Sequence, residues 1–403
     1  MSCPRMPPAY RLRRRDGADA QTAPEPAAAV SGRAGWPAVA PAIAIGYRTA
    51  MERLFAFEHS TSSRIVLGTD AASRLPELVR AHDPDGVVIV HDETLAELAS
   101  ALGAELSAAA TLAVAGGEAA KRLETVGELA ERLHANGATR ATVMVAIGGG
   151  TITDLCGFVA SIYLRGVPFI ACPTTTLAMC DAALGGKNGV DHCGLKNRLG
   201  TIRQPDAIVM DPAWLTTLPD EMFREGLVEV VKKAAVLDRE RFEELERLAP
   251  ALRDRDAEAT ERAIAMSVDM KMTVVLADER EGDRRRALNA GHTIGHAIES
   301  FAGGALRHGT AVAMGLVAEC RAAGVTDTIT ERVAALLRAI GVDPDTPAAY
   351  TARDRLWELA RQDKKAMRGS VPMHVPHRIG EGHDIELTRA MLDRAFATGR
   401  SRD

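Results

Sequence analysis

Between residues 58 and 212, short apolar runs alternate with amphipathic stretches, and this alternation constrains the fold more than any other feature. SSRIVLGT reads as a strand, DAASRLPELVRAH as a helix capped by Asp70, and DGVVIVHDE as a buried strand. ETLAELASALGAEL reads as a helix, TLAVAG as a strand, and LETVGELAERLHANG as an amphipathic helix closed by Gly137. ATVMVAIGGG and VPFIACP are further apolar strands. Strands apolar along their whole length belong in a parallel sheet covered by helices on both faces.

After residue 212 the texture changes. EMFREGLVEVVKKAAVL, RFEELERLAPALR, DAEATERAIAMSVDMKMTVV, TAVAMGLVAECRAAG and TERVAALLRAIG all read as helices. The expectation is an α/β domain over residues 58–212 and an all-α domain over 213–403, with the cleft between them as the default site. Residues 1–57 carry RLRRR and TAPEPAAAV and are expected to be a disordered, non-catalytic tail. Asp16, Asp19 and Glu25 argue against a transit peptide, and Met51 offers a second possible start.

Composition removes several function classes. A net charge of −5 gives no global basic field for nucleic acid. No apolar run approaches the length of a membrane span. The six cysteines form no CxxC pair, which fits reduced thiols and a cytoplasmic location.

The chemistry concentrates between Lys271 and Gly309. His292 and His296 are four apart and share a helix face, a metal-ligand spacing. Thr293 follows His292, so the general base of HExxH is missing. Paired helix-face histidines are also explained by hydrogen bonding in a core. His308, arriving from another segment beside Lys271, Glu279, Glu281, Arg285 and Asn289, shifts the reading towards a metal centre.

A second key stretch is GGGTITDLCGFVAS, where Gly148, Gly149 and Gly150 follow an apolar strand and precede a helix. The turn lets backbone approach a phosphate at a helix N-terminus, or is simply a tight structural turn; it is not GxGxxG. Asp154 either stabilises the first helical turn or bonds a cofactor. Arg165, Lys187, Lys196 and Asn197 lie with Asp181 on glycine-rich loops that suit a bound phosphate or are solvated loop residues. Glu229 and Lys232 share a helix face, and Lys364 and Lys365 stand in a loop able to reach an anion.

From about residue 60 onwards the constellation resembles the 3-dehydroquinate synthase family of NAD-dependent sugar-phosphate cyclases. AIGGGTITDLCGFVAS, YLRG, PTTTLAMCD, GGKNGV, KNRLG, GLVEVVK, DERE, LNAGHTIGHAIE and LRHG carry the likeness, in matching order and spacing. Metal-dependent alcohol dehydrogenases fit less well, because they leave Arg165, Lys187, Lys196 and Asn197 unexplained. The resemblance implies an α/β N-terminal dinucleotide-binding domain followed by an all-α C-terminal metal-binding domain. It implies that Glu229, His292 and His308 hold one divalent metal, zinc or cobalt. Gly148, Gly149, Gly150, Asp154, Asp92, Glu118, Lys121, Thr174 and Thr175 match NAD-binding positions. Lys187, Lys232, Glu281, Asn289 and His296 match catalytic positions. Arg165, Asp181, Lys196, Asn197, Lys271 and Arg285, with one of Lys364 and Lys365, match substrate-binding positions.

The implied activity is that of a carbon–oxygen lyase acting on a heptulose phosphate: transient oxidation, phosphate elimination, reduction and intramolecular aldol closure, in a homodimer. Two substrates compete. Lys271, Arg285 and LNAGHTIGHAIE are similar to 3-dehydroquinate synthase proper, which takes a carboxylated heptulosonate phosphate. KNRLG and the ending SVPMHVPHRIGEGHDIELTRAMLDRAF are similar to the branch that takes sedoheptulose 7-phosphate. The mixture resembles a 2-epi-valiolone synthase type enzyme most. A catalytically silent homologue acting as a binding subunit is the reading from a different class.

Overall fold

The computed structural model describes residues 43–46, 50–58, 60, 62–362 and 371–396. All fall within one compact unit, Pro41–Asp403. In chain order the first half contains β1 (Ile43–Gly46), β2 (Met51–Phe55), β3 (Ser63–Leu67), α1 (Leu75–Arg80), β4 (Val87–Asp92), α2 (Ala96–Glu105) and β5 (Ala110–Val114). It continues with α3 (Leu123–Ala135), β6 (Val143–Gly148), α4 (Gly150–Ile162), β7 (Phe169–Pro173), β8 (Lys187–His192), β9 (Leu195–Ile202) and β10 (Ala207–Met210).

The main sheet has the strand order β1-β2-β3-β10-β7-β6-β4-β5. β3 to β5 run parallel across it, in registers such as Val88↔Met144 and Val145↔Ile170. Alternate residues of each strand feed opposite faces. Val143, Val145 and Ile147 pack with Leu75 of α1 and Leu102 of α2 on one side. Met144 and Ala146 face Leu129 of α3 and Leu155 of α4 on the other. The chain moves outward from β4 to β5 and then returns to β6. That reversal opens a crevice at the C-terminal ends of β4 and β6, where open α/β sheets bind ligands.

The second half is mostly helical: α5 (Asp220–Leu237), α6 (Arg239–Arg253), α7 (Ala257–Ala277), α8 (His292–Ala302), α9 (His308–Ala323), α10 (Asp327–Ala339), α11 (Arg353–Gln362) and α12 (Arg389–Ala395). The core under α3 and α4 runs on without a break into α5, α6 and α7, through residues such as Leu227, Val231 and Phe242. A separate cluster joins α8, α9, α11 and α12. No described helix is long and apolar enough to cross a membrane.

Four expectations are corrected. The sheet begins before residue 58, because β1 and β2 add antiparallel strands to β3. Glu52 of β2 is buried, and Arg74 supplies its partner at 3.0 Å, so a charge that looked like tail is structural. The C-terminal part is not all-α: β11 (Pro372–Arg378) and β12 (Glu381–Glu386) form a hairpin. Residues 187–202, read as loops, form the antiparallel pair β8–β9 against α4. Asp70 adopts a left-handed φ of 64° and makes no side-chain cap; a 3-10 turn, Ala71–Arg74, precedes α1 instead.

Candidate functional site

The expected nucleotide-binding residues gather at the sheet crevice. Asp92 ends β4 and accepts hydrogen bonds from Thr94 N (3.0 Å) and Oγ1 (2.7 Å). Gly148 ends β6, Gly149 occupies the N-cap of α4 and Gly150 starts the helix with no side-chain cap. A Cβ on Gly149 would stand 3.1 Å from Thr175 Cγ2, so the turn and the residues after β7 are in contact. Thr174 N donates to Gly148 O at 2.9 Å. The helix thus begins with open N–H groups at a place without side chains, which suits a pyrophosphate.

Lys121 is buried and donates to Asp154 Oδ2 at 2.8 Å and Asn197 Oδ1 at 2.5 Å; Glu118 stands 3.9 Å away. Burial pushes the Asp154 carboxyl up to about 6, with Lys121 offsetting only part of the effect. Lys121 therefore ties the loop after β5 to both α4 and β9.

The second group lies on α5, α7, α8 and α9. Among the described residues, His292, His296 and His308 form the set whose ligand atoms converge, all within 4.8 Å. Glu229, fully buried on α5, points Oε1 at His292 Nε2 (3.7 Å) and His308 Nε2 (3.9 Å). That oxygen accepts no hydrogen bond, while Oε2 is ion-paired with Lys232. His292 Nδ1 lies 3.1 Å from Ala290 O and His308 Nδ1 3.0 Å from Glu299 Oε2. Both contacts favour a proton on Nδ1 and leave Nε2 lone pairs aimed at one point. A buried carboxylate oxygen without a donor, facing two such nitrogens, fits a divalent cation.

Around this centre Lys232 Nζ also donates to Leu288 O at 2.6 Å, next to Asn289. Asp181, in a π-helical turn over Ala178–Ala182, accepts Lys271 at 2.9 Å and Lys233 at 3.2 Å. Burial works against the Asp181 charge, but Lys271 and Lys233 hold its carboxyl well below the usual range. Burial lowers Lys271 to about 8. Arg285 is buried and gives its N–H groups to the carbonyls of Asp278, Glu279 and Gly185. Lys187 pairs with Glu281, and Lys196 donates to Glu299 at 2.8 Å, joining β8 and β9 to the helical side.

Arg165 is the exception. It is exposed at the far end of α4, whose 13 residues carry the chain about 20 Å back across the sheet, so within one chain it stands apart from the others. Lys364 and Lys365 lie outside the described residues.

Residues 111–225 match the 3-dehydroquinate synthase N-terminal family, and residues 226–366 match its C-terminal counterpart. The chain belongs to the 3-dehydroquinate synthase family. It is 40% identical over 297 residues to a 3-dehydroquinate synthase of Solibacter usitatus (strain Ellin6076), across 72% of this chain and 83% of that protein. ValA, the 2-epi-5-epi-valiolone synthase from Streptomyces hygroscopicus subsp. jinggangensis 5008, solved with NAD+ and Zn2+, superposes with a TM-score of 0.76. That match has 27% identity over 85% of this chain and 98% of ValA. A 2-deoxy-scyllo-inosose synthase, at 24% identity over 85% of this chain and 98% of its own, shares the fold with a TM-score of 0.75.

Three charged residues of this family member escape a reading by motif. Glu299 is seven residues from His292 and three from His296, so the same helix face signalled it. Burial works against its charge, yet His308 and Lys196 hold its carboxyl down to about 2. Lys233 looks like the solvated neighbour of Lys232 but is fully buried against Cys180 O and Asp181. Glu319 sits in an apolar helix with no local signal at all.

Proposed function

We propose that this protein is a NAD- and divalent-metal-dependent cyclase that releases phosphate from sedoheptulose 7-phosphate and yields a valiolone-type cyclitol, 2-epi-valiolone in preference. When bound, NAD supplies a reversible hydride acceptor and the metal a Lewis acid. Glu229, His292 and His308 hold the metal, and Gly149 and Gly150 admit the dinucleotide phosphates to the start of α4. Lys187 and Lys196, half-exposed and paired with Glu281 and Glu299, exchange those carboxylates for the substrate phosphate. With Glu229 and two Nε2 atoms committed, the ring of His296, centred 5.0 Å from that of His292, is the imidazole left to hold or pass a proton.

The observation that carries the substrate choice is Arg285. Its guanidinium directs Nε, Nη1 and Nη2 at three backbone carbonyls, and the ammonium of Lys271 is bonded to the carbonyl and carboxylate of Asp181. Neither cation offers a free fork to a substrate carboxylate, which supports a sugar without one. The second reading, 3-dehydroquinate synthase proper, is favoured by the 40% identity to the Solibacter protein. Phosphate release should be followed from both heptulose phosphates in parallel, with NAD and zinc or cobalt. Turnover of sedoheptulose 7-phosphate alone supports the proposal. Turnover of the carboxylated sugar alone replaces it with the second reading.

A further inference from the structure

We propose that Glu319 is a positioning residue of the metal centre, fixing His292 from a helix away. α8 has no side-chain cap of its own: Gly291 occupies the N-cap with φ 76°. In a capping box two reciprocal side-chain bonds satisfy the N-cap and N3 amides of a helix. Here one carboxylate takes both. Glu319 Oε2 accepts from Gly291 N at 2.7 Å and Oε1 from Ile294 N at 2.9 Å. His292 is the first residue inside that clamp, and its Nδ1 contact with Ala290 O lies just outside it.

Glu319 is completely buried on α9, the helix whose first residue is His308. The two helices meet antiparallel along a seam of glycines. A Cβ on Gly315 would fall 2.1 Å from Gly291 O and 2.5 Å from Gly295 N, and one on Gly295 2.8 Å from Ala311 O. Backbone contact at the seam leaves little freedom for sliding, and Glu319, one turn beyond Gly315, pins the end of α8. One helix therefore supplies a ligand at its start and sets the orientation of another near its end.

The inference rests on Glu229, His292 and His308 being the ligands, so the test separates the two. Glu319→Gln keeps the volume and one acceptor but sets an NH2 group against an amide donor. Glu319→Ala removes both acceptors. For each variant, metal affinity is measured by competition with a chelator. The visible absorption of the cobalt-loaded protein reports ligand geometry, and far-ultraviolet circular dichroism reports the fold. Glu319→Gln should fold, bind metal roughly ten- to a hundredfold more weakly and shift the cobalt spectrum, with Glu319→Ala at least as weak. A folded Glu319→Gln with unchanged affinity and spectrum, even at a lower melting temperature, would reduce Glu319 to an ordinary helix cap and overturn the proposal. Unaltered protein that takes up no cobalt, or His292→Ala that takes it up normally, would instead overturn the ligand assignment, and the proposal with it.

Discussion

Glu229 Oε1 and His292 Nε2 stand 3.7 Å apart, beyond hydrogen-bonding distance and within the span of two atoms each about 2.1 Å from one ion. His292→Ala should remove metal and lower turnover at least about a hundredfold, more than loss of an outer-shell partner does. Metal content and circular dichroism of the purified variant check this. Full activity would remove His292 from the ligand set.

Gly149 leaves only 3.1 Å between a new methyl and Thr175 Cγ2, with an ordinary φ of −74°. Gly149→Ala should therefore change stability by less than about 1 kcal/mol. The methyl would stand where a phosphate must approach, so NADH affinity should fall about tenfold or more. Fluorescence titration beside a melting curve separates the two effects; an unchanged dissociation constant would mean that the nucleotide lies elsewhere.

Burial raises the Asp154 carboxyl from 3.8 to about 6. Between those values the folded chain keeps a proton that the unfolded chain has released. Stability from this group is full below pH 3.8 and is lost as pH rises through about 6, by about 2–3 kcal/mol. The melting temperature of Asp154→Asn should fall less steeply than the parent's across that window. Equal slopes would assign the titration to another group.

Gly315→Ala drives a methyl into the Gly291 carbonyl and the Gly295 amide, both backbone and unable to yield cheaply. A loss of about 1–3 kcal/mol or more is expected, together with weaker metal binding, because the helix bearing His292 must back away. Denaturant unfolding followed by cobalt titration tests both; a stable variant with normal affinity would contradict the tight seam.

Arg285→Lys leaves carbonyls of Asp278, Glu279 and Gly185 short of donors in a buried setting. The expected cost is about 1–3 kcal/mol of stability. A raised KM for the carboxylated sugar with no loss of stability would show instead that Arg285 meets substrate.

Much of this arrangement was legible beforehand. The buried strands β4, β6 and β7 announce themselves because apolar residues fill both faces, and the turn Gly148–Gly150 follows from the crossover they require. Sharing a helix face put His292 and His296 together. The hairpins were hidden for physical reasons. β9 is exposed along most of its length and polar, so its pairing lies in backbone bonds that no side-chain pattern records. β2 carries Glu52 inward, a position recognisable only once Arg74 is seen beside it. Arg165 lies apart from the other site residues of its own chain because α4 is 13 residues long, a separation that motif order along a sequence does not show. Glu319 acts across helices, a relation that no spacing along one helix can reveal.

The placement of β3 beside β10 bears on how the molecule comes into being. Ser63–Leu67 pairs with Ala207–Met210, about 140 residues later, so during synthesis β3 must wait for most of the α/β half with one edge open. Until β10 arrives, a newly made chain carries an unpaired, apolar strand edge, the kind of surface that joins the wrong neighbour. Yield in a cell should thus depend less on the finished fold's stability than on how long that edge stays open, and slower growth or a holdase that shields extended segments should raise it.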